Sequence, residues 1–154
     1  MKLSLTNDKD KTDQIDEIES IPVFGYELLR DILLPELLGK DTPEISYWAG
    51  KHLARKFPLL SFDEIGSFFQ EAGWGDLVLI EQSRKELKAM LKGPMVARRL
   101  SMKSEACFKL EAGFLAEQIQ AQKHAITETY DEVLKKQKTV SLTVRWDSKD
   151  PAED

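Results

Sequence analysis

Four apolar residues near the end of the chain, Val140, Leu142, Val144 and Trp146, alternate with Ser141, Thr143 and Arg145. A period of two sends successive side chains to opposite faces, so this stretch reads as a strand with one buried face. Such a strand needs paired neighbours and an apolar layer to cover it. Charge fixes its register. A slip of one residue would turn Arg145 into the core and strand a cation away from water.

The cover is expected in residues 105–122, EACFKLEAGFLAEQIQAQ, facing the strand through Phe108, Leu115 and Ile119. Phe108, Ala112, Leu115 and Ile119 recur at helical spacing, and Cys107, Leu110 and Phe114 widen the same side. Lys109, Glu111, Glu117, Gln118 and Gln122 are expected in water on the opposite side. Gly113 sits mid-helix, where glycine costs about 1 kcal/mol relative to alanine. Either another backbone, side chain or ligand presses against the helix there, or the glycine is simply tolerated.

Three helices are expected before this one. In PVFGYELLRDILLPELLGK the residues Phe24, Leu28, Ile32 and a Leu37/Leu38 pair share a face, with Leu29 and Leu33 beside them. A stripe that broad must be covered on more than one side. Pro35 is expected to bend or break this helix near Leu34, and Gly39 to stop it. Thr42-Pro43 starts a second helix whose apolar side is Ile45, Trp48, Leu53 and Phe57, with Gly50 and Ala54 suited to close packing. Ser61-Phe62-Asp63-Glu64 is a capping box that starts a third, carrying Phe62, Ile65, Phe69 and Ala72.

The period then changes. Leu77 to Ile80 is a short apolar run, Leu87, Ala89 and Leu91 alternate with polar or flexible neighbours, and Ser83 to Glu86 joins them as a hairpin. Residues 125–134 pair with Val140–Trp146 as a second hairpin. The expected fold is α+β: an antiparallel four-stranded sheet of two hairpins, with a layer of about four to five helices on one face.

Residues 21–147 form a single expected domain. Residues 1–20 and 148–154 are expected to be acidic tails, the first with Ile15 and Ile18 able to dock. Residues 1–20 and 147–154 each carry a formal charge of -3 out of -5, so the body between them is nearly neutral. One cysteine excludes an intrachain disulfide. No apolar run approaches the about 18 residues of a membrane span, and no secretory h-region follows Met1. A cytoplasmic protein is the expectation.

No P-loop, nucleophile elbow or dinucleotide fingerprint occurs, and no catalytic residue, metal ligand or cofactor is expected. His52 and His124 are the only histidines and lack the spacing of a helical metal pair. Arg84, Lys85, Lys88, Lys92, Arg98, Arg99 and Lys103 form a basic strip with Glu86 as its sole acid. Such a strip can meet phosphates or an acidic membrane surface, but a solvated hairpin edge is the expectation, with no nucleic-acid partner. Cys107 is expected to be structural and slow to react. Trp48, Phe69, Trp74, Cys107, Phe108 and Phe114 are the candidate lining of an apolar ligand cavity, unless they pack solid. Phe24, Leu28, Leu29, Ile32, Leu33 and Leu37 are the candidate face of a homodimer.

Three segments carry a resemblance: AGKHLAR at Ala49–Arg55, FFQEAGWGDLVL at Phe68–Leu79 and CFKLEAGFLAEQI at Cys107–Ile119. In that order they resemble the 4-vinyl-reductase-type domain, a small-ligand-binding fold shared with TRAPP vesicle-tethering subunits and related to haem nitric-oxide-binding domains. From Phe24 onward the chain also resembles an uncharacterised bacterial family. The resemblance implies the fold, pairing through helices and an apolar cavity. It departs from the pattern in the last hairpin, TYDEVLKKQKTVSLTV, which lacks the family's cysteine pair, so metal binding is not carried over. Neither haem ligation at His52 or His124 nor acylation at Cys107 follows. The expected role is a non-enzymatic module for a small apolar ligand or a protein partner, or else a dimeric adaptor with a solid core.

Overall fold

Strand β1 (Asp76–Gln82) turns back into β2 (Glu86–Lys92), and β3 (Ile126–Leu134) into β4 (Thr139–Asp147). The two hairpins join through β2 and β4, giving an antiparallel sheet in the order β1-β2-β4-β3. The computed structural model describes residues 20–102 and 105–147. Apart from Ser20, the two expected tails lie outside the described residues, as do the docking of Ile15 and Ile18 and Lys103 of the basic strip.

β4 sits centrally, between β2 and β3. Its register is the expected one: Val140, Leu142, Val144 and Trp146 are buried, and Arg145 points outward to pair with Glu86 at 2.7 Å. Leu87, Ala89 and Leu91 of β2 share that buried face, as do Thr127 and Thr129 of β3. The apolar run of β1 lies on the sheet edge, and Val78, Leu79 and Ile80 stay substantially exposed.

Among the described residues, five helices build the other layer. Helix α1 runs as three consecutive stretches, Val23–Glu27, Leu28–Leu33 and Leu34–Leu38, the middle one wound as a π-helix. The others are α2 (Thr42–Lys56), α3 (Phe62–Glu71), α4 (Pro94–Leu100) and α5 (Lys109–Lys123). Pro35 does not break α1. The wider winding comes just before it, where the Leu34 N–H reaches back five residues to the Leu29 carbonyl, and the helix continues to Leu38. Ser61 caps α3 as expected, its Oγ accepting from the Glu64 N–H at 3.2 Å, while the Glu64 carboxylate reaches back to the Leu60 N–H at 3.3 Å and not to that of Ser61.

The central helix differs from expectation in two ways. It starts at Lys109, with residues 105–108 outside any helix or strand ahead of it, and it is buried almost all round. Glu111 and Gln118, expected in water, are both in the interior. Gln118 is there to hold the end of α2. Its amide donates to the Ala54 and Phe57 carbonyls, and its oxygen accepts from the Leu59 N–H at 3.0 Å. The Ala54 carbonyl also accepts from the Phe57 N–H at 3.1 Å, and Pro58 offers no N–H to continue the helix.

Gly113 has a physical reason. A Cβ there would run into the backbone carbonyl of Tyr47, its carbon only 2.8 Å away. On the facing helix a Cβ on Gly50 would come within 2.7 Å of the Phe114 nitrogen. Two glycines therefore let α2 and α5 cross backbone to backbone.

Candidate functional site

The sequence of α1 mixes two patterns: a broad apolar stripe, and Glu27, Arg30 and Asp31 within it. The fold resolves them by turning the charged side inward. Glu27 and Asp31 are buried, whereas Phe24, Leu28, Leu29, Ile32, Leu33, Leu34 and Leu37 face solvent, Leu37 at 69% and Leu29 at 62% exposure. Arg30 and Asp31 lie within the π stretch and line the body side together with Pro35 and Leu38.

The inward face docks by ion pairs. Arg98 of α4 grips Glu27 through Nε at 2.6 Å and Nη2 at 3.1 Å. The neighbouring Arg99 is buried and binds Asp31, with Nη2 at 2.8 Å, and Glu111 of α5 at 3.3 Å. Arg30 completes the group by pairing with the other oxygen of Glu111 and donating to Tyr26 Oη at 2.7 Å. Both arginines also donate to the Cys107 carbonyl, and the Arg99 guanidinium lies 4.4 Å from the centre of the Phe108 ring. The basic strip is thus not a solvated edge throughout. Its Arg98 and Arg99 are the anchor of α1.

Electrostatics follow from this geometry. The hydrogen bond from Arg98 holds the Glu27 carboxyl below its ordinary range. Burial works against the charge on Arg30, but the fields of Glu111 and Tyr26 outweigh it and raise its pKa, so the guanidinium stays protonated. Arg30, Arg99, Asp31 and Glu111 neutralise one another two against two.

Beside this network, the second half of α1, the first half of α2 and residues 105–107 enclose a cleft of about 290 Å³. Its walls are largely apolar, from Leu34, Pro35, Leu38, Ile45, Ala49 and Leu110. Arg30, Asp31 and Cys107 also line it.

The candidate cavity residues do not share one place. Phe69, Trp74 and Phe114 meet edge to face at 5.0 to 6.0 Å between centroids, and Phe68 stacks on Phe114 at 4.5 Å. Phe108 lies beneath Arg99, and the half-exposed Cys107 borders the cleft. Trp48 stands apart on the outer side of α2, 63% exposed and stacked on His52. Among the described residues, no group of three or more His, Cys, Asp or Glu is placed to hold a metal. The residues that sequence reasoning missed are Glu27, Arg30, Asp31 and Glu111, and it placed Arg99 only in the basic strip. Their one signal was charged residues spaced at helical intervals inside apolar stripes.

A family model described as a protein of unknown function (DUF2507) matches residues 23–145. The chain belongs to the DUF2507 family. The match takes in α1, the ion-pair network and the cleft, so these features lie inside the DUF2507 region. The uncharacterized protein YslB of Bacillus subtilis (strain 168) is 51% identical over 139 residues, covering 90% of this chain and 93% of that one. Among solved structures, a vinyl-4-reductase family protein from Methanocaldococcus jannaschii superposes with a TM-score of 0.58 at 20% identity, covering 90% of each chain. An Fe(II) unliganded H-NOX protein mutant from K. algicida does so at 0.54 and 11%, covering 85% of this chain and 76% of its own. At these identities the likeness is one of fold. It bears out the expected vinyl-reductase-type architecture for this DUF2507 member.

Proposed function

We propose that the chain is a non-enzymatic cytoplasmic binding module that works as a homodimer, with the outer face of α1 as its docking surface. The inversion of α1 carries this reading. Ion pairs clamp the charged side of the helix to the body, so its apolar side cannot rotate inward to escape water. Seven exposed apolar side chains on one helix exceed what a monomer ordinarily leaves in water. A closed two-fold pair covers such a face with its own copy. The charged groups within the fold neutralise one another, which supports a holding role rather than a reacting one. The ring contacts of Phe69, Trp74 and Phe114 favour, as a second reading, an adaptor whose core is itself solid.

Sedimentation of the full chain at tens of micromolar is expected to show a dimer. The double variant Leu29→Asp/Leu37→Asp is expected to sediment as a monomer with an unchanged circular dichroism spectrum. A chain starting at Ser20 tests the competing cover, the acidic segment before it. Monomers from both the full and the shortened chain would sink the pairing, and a dimer only after shortening would make that segment the cover.

A further inference from the structure

We propose that the cleft between α1 and α2 binds a small uncharged, mostly apolar molecule carrying one hydrogen-bond-accepting oxygen. This goes beyond the pairing of α1, because the cleft opens beside the docking face and has its own chemistry.

Size comes first. An apolar cavity of about 150 Å³ admits a benzene ring, and this cleft measures about 290 Å³. It suits a chain or fused ring of roughly ten non-hydrogen atoms, at about 30 Å³ each. The walls come next. Leu34, Leu38, Ile45 and Leu110 offer only methyl and methylene groups, and the small Ala49 leaves the space between them open. A ligand here buries mostly apolar surface; of the two hydroxyls in the lining, Thr42 donates to the Gly39 carbonyl at 2.6 Å and Ser46 is the other.

Charge then narrows the class. The groups at the inner end, Arg30 and Asp31, belong to a network already neutral, so a carboxylate or ammonium would bring in a buried charge without a partner. Glu105 at the lip is exposed, where a pairing is worth little. Two donors are left over. Of its five N–H groups Arg30 commits one on Nη1 to Tyr26 and two on Nη2 to Glu111 and the Cys107 carbonyl, so the Nε–H and the second Nη1–H have no acceptor among the described residues. A carbonyl or ether oxygen supplies one without adding charge.

Nonan-2-one is the probe, titrated into the full-length, nitrogen-15-labelled protein. Saturation at one molecule per chain is expected, with shifts confined to residues around the cleft and to the Arg30 side-chain N–H resonances. Binding is expected to weaken by about tenfold or more in Ala49→Phe, which fills the space, while the circular dichroism spectrum holds. Nonanoate and nonylamine are each expected to bind about tenfold more weakly than the ketone. Bound ketone is expected to slow labelling of Cys107 by N-ethylmaleimide. No saturable binding, binding indifferent to Ala49→Phe, or tighter binding of either charged analogue overturns the proposal. Unmoved Arg30 resonances overturn it as well. Binding only in Leu29→Asp/Leu37→Asp would overturn it differently, by making a side chain of the second copy the occupant. Sedimentation of the same samples reads the pairing separately, so failure of one reading is not failure of the other.

Discussion

Replacing Gly113 by alanine is expected to lower folding stability by about 3 kcal/mol or more, the upper end of what an overpacked core costs. On helix propensity alone the same change would add about 1 kcal/mol. The sign reverses because the added methyl meets the backbone of Tyr47 rather than a side chain that can turn away. Relief requires α2 and α5 to separate, and α5 is the helix that covers the sheet. Gly25 provides the matched control. It is also helical, but a Cβ there meets nothing within 4 Å, so Gly25→Ala should stabilise by about 0.5 to 1 kcal/mol. Urea unfolding of both variants measures the difference. A Gly113→Ala protein within about 1 kcal/mol of the parent would mean that the helices are not in backbone contact.

The strands were legible because the reason for them is local; Gly113 was left open between a close contact and a tolerated glycine, since its reason is the Tyr47 backbone of another helix. Val140 to Trp146 could take only one register without burying Arg145. Ser61 and Glu64 could cap a helix with no help from elsewhere. The orientation of α1 was not legible in the same way. Periodicity shows which residues share a side of a helix, not which side meets the body, and the larger apolar side is the natural choice for the interior. What overrules that choice is far away in sequence: Arg98, Arg99 and Glu111 meet Glu27, Arg30 and Asp31 only after the chain has folded. Charge counting placed Arg98 and Arg99 in a basic strip without a way to see that they are anchors. Glu111 and Gln118 were misplaced for a related reason. A helix crossed closely by a second one and laid on a sheet has little side left for water.

The two arginines of α4 are expected to differ sharply when removed. Arg99→Leu should destabilise by about 3 to 5 kcal/mol, because Asp31 is left buried without its partner and Glu111 keeps only Arg30. Arg98→Leu breaks a pair that is more than half exposed on the arginine side, and should cost far less than Arg99→Leu. Adding Asp31→Leu to Arg99→Leu is expected to recover part of the loss, since an apolar pair needs no compensation. Acid should act through the same clamp. The Glu27 carboxyl is held below its ordinary range by Arg98, so its contribution is complete above the unfolded carboxylate range. It is lost as pH falls through the lower, folded value, and Arg98→Leu should flatten that part of the curve. Thermal unfolding between neutral and acidic pH reads both effects. If Arg99→Leu proves no costlier than Arg98→Leu, the buried network does not hold α1 in place, and the outward turn of its apolar face needs another cause.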